Sequence, residues 1–128
     1  MHPAEFKTLR EAVGLSISTL VKVIDVDERT LRKWESGKKK LPQGVIDSLL
    51  GIDDLLNKTA DHIFKIEKEA LDARNDNSVA LKRFIEEEDL LNAFPEFEGL
   101  PMTSFGVVLF RVRQKFIDLG ASVSIIYS

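Results

Sequence analysis

The chain has 128 residues, 44% of them hydrophobic and 30% charged, the balance of a folded globular protein rather than a disordered tail. Eighteen basic and 21 acidic residues leave a net charge of -3, and there is no cysteine, which excludes a disulfide scaffold, a thiolate metal site and a cysteine nucleophile. No apolar run approaches the ~18 residues of a membrane span, and no signal-peptide core is present, so a cytoplasmic location is expected.

Residues 4–13 are expected to form a first helix, with Pro3 suited to its first turn and Gly14 to its stop. Phe6, Leu9 and Val13 mark its buried face. Ser16 is a natural N-cap for a short helix to Ile24, whose inner stripe is Leu20, Val21 and Ile24. A tight turn through Asp25 and Val26 leads to Asp27, placed as N-cap of a third helix. That helix, Glu28 to Ser36, buries Leu31 and Trp34 and turns Glu28, Arg29, Arg32 and Lys33 outward. Gly37 ends it, and Lys38 to Leu41 forms a basic loop.

From Gln43 a single long helix is expected to about Ala73, roughly 45 Å at 1.5 Å per residue. Val45, Ile46, Leu49, Ile52, Leu56, Ala60, Ile63, Phe64 and Ala70 keep a helical period through it. Gly51 is the expected point of a break or kink. A strand at 79–85, a short acidic-ended helix at 86–93 and a loop holding Pro95, Gly99 and Pro101 follow. Thr103 or Ser104 is expected to cap an apolar helix over 105–119, and the β-branched segment 121–127 reads as a final strand. The fold class is mainly α, with an N-terminal helix-turn-helix bundle, a long connecting helix and a small C-terminal β-α-α-β unit. The expected division is 1–74 and 75–128.

Charge is uneven along this plan. Residues 1–44 carry nine basic and six acidic side chains, against nine and 15 in residues 45–128. A basic stripe on an acidic protein focuses a local field that the overall charge hides. A capped helix, a short turn and a second capped helix, in LSISTLVKVIDVDERTLRKWESG, make a steeply crossed pair with an outward polar rod. Such a rod fits the B-DNA major groove.

At this stretch, above all in Thr30-Leu-Arg-Lys-Trp-Glu-Ser-Gly-Lys38, the sequence resembles the helix-turn-helix domain of phage-repressor-like (Xre-type) regulators. The resemblance covers residues 4 to about 60. The whole-chain layout is also similar to the short autoregulators found beside anti-CRISPR genes. The resemblance implies base contacts from Glu28, Arg29 and Lys33, and phosphate contacts from Arg32, Lys38 and Lys40. It also implies a structural ion pair between Arg10 and Glu35. The sequence departs from the family at Val21, where a small residue is usual, at Asp25, where glycine is, and at Ile17, where a polar side chain commonly holds a phosphate.

The remaining polar features have no assembled chemistry. His2 and His62 stand sixty residues apart, and Glu86-Glu-Glu-Asp89 sits where acids favour a helix start. No catalytic residue, metal site or cofactor is expected, and the chain is not read as an enzyme. Phe105, Leu109, Val112 and Phe116 form an apolar stripe expected to serve as a dimer interface. The reading is a sequence-specific DNA-binding regulator, a homodimeric repressor or autoregulator on an inverted-repeat operator. Its competitors are an antitoxin that represses its own operon, a protein-interaction module without DNA binding, and an RNA binder; a toxin or RNA partner stays open.

Overall fold

A computed structural model describes residues 1–128. The helices α1 (Pro3–Ala12), α2 (Ile17–Ile24) and α3 (Glu28–Glu35) lead into a helix of 32 residues, α4 (Gln43–Arg74). Then come β1 (Ser78–Arg83), α5 (Glu87–Ala93), a 3-10 turn at Pro95–Phe97, α6 (Met102–Asp118) and β2 (Ser122–Tyr127). The class is mainly α with a small C-terminal α/β unit. No helix is long and apolar enough to cross a membrane.

Local chemistry sets the first boundaries. His2 caps α1, its Nδ1 accepting from the Ala4 amide at 3.0 Å while Glu5 accepts from the His2 amide. Gly14 leaves α1 at a φ of +80°, a conformation glycine adopts without a Cβ penalty. α4 runs through Gly51 without the expected break. Gly51 is exposed, and a side chain there would meet nothing within 4 Å. The propensity cost of about 1 kcal/mol is outweighed by a continuous apolar stripe that packs on both sides of it, through Ile46, Leu49, Leu56 and Ala60.

The two strands pair in parallel, Val79 opposite Val123 and Leu81 opposite Ile125. Parallel pairing needs a long crossover, which α5, the 3-10 turn and α6 supply. β1 stops at Arg83, two residues short of the expected Ile85, because β2 offers no partner beyond Tyr127. Phe84 instead turns into a cluster with Phe94, Phe97 and Phe105, with ring centroids 5.3 to 6.5 Å apart.

The apolar stripe of α6 has its cover within the same chain. Phe105, Leu109, Val112 and Phe116 are all at most 3% exposed, so the expected assignment of these residues to a dimer interface is corrected. α4 lies along α6, with the Phe64 and Phe116 rings 4.7 Å apart. Polar contacts stitch the same seam: Arg111 donates to Asp53 at 2.9 Å and to Asn57 at 2.7 Å, and Lys115 pairs with Asp61 at 2.9 Å. A 32-residue amphipathic helix has surface for two neighbours, and its middle, from Asp53 to Phe64, lies against α6.

The start of α6 also departs from expectation. It begins at Met102 with Pro101 as N-cap and no side-chain cap bond, so neither Thr103 nor Ser104 is the cap. Both hydroxyls reach across to the end of α1 instead. Thr103 Oγ1 donates to the Gly14 carbonyl and Ser104 Oγ to the Val13 carbonyl, each at 2.7 Å. Ser104 is fully buried, and its bond satisfies a carbonyl that the end of a helix leaves open. Through this latch and α4, one cluster of 22 buried hydrophobic residues runs from Phe6 to Phe116. The segments 1–74 and 75–128 thus share one core.

Candidate nucleic-acid interface

The frame of the site is α2, its turn and α3. Ser16 Oγ accepts from the Thr19 amide at 3.1 Å to cap α2, and Asp27 Oδ1 accepts from the Thr30 amide at 2.7 Å to cap α3. The turn between them passes through Asp25 at φ 54° and ψ 55°. Aspartate adopts this left-handed conformation more readily than most residues, so the turn closes without glycine. Leu20, Leu31 and Trp34 are buried beneath it.

At 100° per residue, Leu31 and Trp34 lie on the inner side of α3, and Glu28, Arg29, Arg32, Lys33 and Ser36 span the outer side. Glu28, Arg29, Arg32, Lys33, Ser36 and Lys38 line one shallow groove of ≈ 620 Å³ with no hydrophobic residue in it. Eight helical residues make a rod about 12 Å long. Ser36 was missing from the residue set read from the sequence, although it stands seven positions, two helical turns, after Arg29. Lys40 is exposed in the loop beyond and does not line the groove.

The charged groups differ in how they are held. Glu28 Oε1 accepts from both Arg32 Nη2, at 2.7 Å, and Arg32 Nε, at 3.1 Å. The residues expected to serve a base and a phosphate separately are therefore joined in the free chain. Both are more than half exposed, and exposed pairs one helical turn apart contribute only about 0.3–0.5 kcal/mol, so an incoming phosphate can take Arg32 at small cost. Arg29, Lys33, Lys38 and Lys40 have no ion-pair partner in the chain.

Behind the groove, Arg10 fixes α1 to the end of α3. Its Nε donates to Glu35 Oε2 at 2.7 Å and its Nη2 to Glu35 Oε1 at 3.1 Å, while Nη1 donates to the Leu15 carbonyl at 2.8 Å. The two side chains are 7% and 6% exposed. Lys7, one turn before Arg10 on α1, lines a second shallow groove together with Ile17, Arg32, Glu35 and Ser36. It extends the basic surface past the helix-turn-helix, and its spacing from Arg10 was the signal for it in the sequence. Ile17 is half-buried there, and its side chain has no donor for a phosphate.

The Asp27 carboxyl is held below its ordinary value of 3.8, first by the Thr30 amide it accepts, then by the Thr30 hydroxyl, with Arg29 and Lys33 adding to the effect. A depressed carboxyl binds fewer protons in the folded chain than in the unfolded one, so its contribution is full above the ordinary value and is lost as pH falls through the depressed one. Asp27→Asn keeps an acceptor at the cap but does not titrate. The stability gap between the two proteins is expected to be constant above about pH 5 and to shrink below about pH 4, as read by urea unfolding at stepped pH. Parallel loss in both proteins across that range would count against the cap.

No protein-family model matches the chain, and a search of curated proteins returns no match.

Proposed function

We propose that this chain is a sequence-specific DNA-binding transcriptional regulator of the Xre type. It acts as a homodimeric repressor or autoregulator that places α3 in the major groove of an inverted-repeat operator. The observation that carries this reading is the outer face of α3: unpaired Arg29 and Lys33 on a rod of groove-fitting size, capped at Asp27 and tied down at Glu35. Arg29 forks onto guanine O6 and N7, Glu28 accepts from cytosine N4, and Lys33 reaches a neighbouring base edge. Arg32, Lys38 and Lys40 hold phosphates and set register without reading sequence. Two-fold symmetry puts half-site centres about 34 Å apart or a multiple of that. Occlusion of a promoter then represses, with no catalytic group involved.

The test is fluorescence anisotropy with a duplex from upstream of the chain's own coding sequence, beside an unrelated duplex. Arg29→Ala is expected to cost about 1–3 kcal/mol of discrimination, a loss of preference of about 5- to 150-fold. Lys38→Ala and Lys40→Ala are expected to weaken both duplexes alike and to flatten the log-log salt slope by about 0.9 for each lost phosphate contact. Absence of duplex binding at low salt, or equal competition by single-stranded RNA, would sink the reading.

A further inference from the structure

We infer that the outer edge of β2 is where a second copy of this chain docks, the two β2 strands pairing antiparallel about a two-fold axis. This deepens the homodimer of the proposal above and rests on it. The sheet has only two strands, and an isolated pair is marginal in water. The Ser122 and Ser128 amides donate toward β1, to Asn77 and Arg83. In a parallel ladder the backbone groups of alternate residues point to the same side. Those of Ser122, Ser124, Ile126 and Ser128 therefore serve β1, and those of Val123, Ile125 and Tyr127 point to the open side.

The side chains agree with the backbone. Ile125, Ile126 and Tyr127 are 38%, 47% and 70% exposed, and Ile117 and Leu119, just before the strand, are 37% and 56% exposed. Ile125 and Tyr127 share a face with buried Val79 and Leu81 by register, so the core-facing row runs on past the helices that cover β1. Open edges are ordinarily guarded by lysine, proline or a bulge. β1 carries Lys82 and Arg83, whereas residues 119–128 hold no charge and no proline.

Charge and self-complementarity select the occupant. Residues 45–128 carry 15 acidic against nine basic side chains, so two copies repel over most of this half and can meet on its neutral strip. The same strip on a second chain has equal length, the same unpaired ladder and the same apolar flanks, and a two-fold interface must be self-complementary. The five exposed apolar side chains on and just before β2 supply the apolar centre that a dimer interface needs. The product is a continuous sheet, β1-β2-β2-β1.

Sedimentation at micromolar concentration tests this. The wild-type chain is expected to be a dimer, and Ile126→Lys with Tyr127→Lys a monomer with unchanged helical circular dichroism. A monomeric wild type, or a variant that stays dimeric, overturns the proposal. Should the double variant not fold, the absence of native cysteine allows spin labels at Ser124→Cys to decide. Two such labels on paired strands are expected within about one strand length, ~20 Å, and lack of coupling in that range overturns the pairing. A dimer that does not bind duplex DNA sinks the regulator alone, whereas a monomer that does bind sinks only the interface.

Discussion

Glu35→Ala is expected to destabilise the chain by about 3–5 kcal/mol, because it leaves the Arg10 guanidinium buried without its anion. The pair is bidentate and both side chains are under a tenth exposed. The surviving bond from Arg10 to the Leu15 carbonyl satisfies one donor but does not balance the charge. For a chain of this size the loss corresponds to a fall in melting temperature of about 10–20 °C. The double replacement Arg10→Met with Glu35→Met is expected to recover most of it, since an apolar pair of similar volume removes both desolvation penalties. Thermal unfolding of the two variants checks the sign. A double variant as weak as Glu35→Ala would show that packing, not the unpaired charge, dominates. The pair also has a functional consequence, because it holds the C-terminal end of α3 against α1 while Asp27 holds the other.

Gly14→Ala is the second large effect, expected at about 2–5 kcal/mol. Part is backbone: at a φ of +80° an L side chain costs about 1–2 kcal/mol. The rest is contact, because the new Cβ would stand 2.9 Å from the Thr103 carbonyl carbon and oxygen and 3.0 Å from the Ser104 amide. These are backbone atoms and cannot swing aside, so overpacking adds about 1–3 kcal/mol. Relief requires α6 to move away from α1, which breaks the Thr103 and Ser104 bonds to the Gly14 and Val13 carbonyls. Gly51→Ala is the control. Nothing lies within 4 Å of its Cβ and its φ is helical, so it is expected to gain about 0.5–1 kcal/mol. Urea unfolding that found Gly14→Ala as stable as wild type would mean that α6 does not rest against α1.

The elements of the N-terminal half were legible because their signals are local. Ser16 and Asp27 accept amide bonds from Thr19 and Thr30 three residues on, and such caps are written in adjacent residue types. The polar face of α3 follows from the helical period alone. The partition of that face does not: Glu28 and Arg32 are one turn apart in any helix, but whether they pair or point to a ligand depends on what else surrounds them. Ser36 follows from the same period, whereas Lys7 joined the basic surface only once α1 and α3 were set side by side.

The C-terminal half was legible as elements and misread as surfaces. The stripe of Phe105, Leu109, Val112 and Phe116 states that one side of α6 is buried, but periodicity carries no information about what buries it. α4 extends far enough to do so within the chain, while Ile117, Leu119, Ile125, Ile126 and Tyr127, at the end of α6 and on β2, stay exposed. The hydroxyls of Thr103 and Ser104 likewise suit a cap by type, yet their acceptors lie 89 and 91 residues away in sequence. The sequence by itself determined the helices, their caps and the polarity of each face, since these rest on contacts within a few residues. Only the tertiary structure decided which apolar face stays open, that the strands run parallel and that both halves share one core, because each depends on pairings between distant segments.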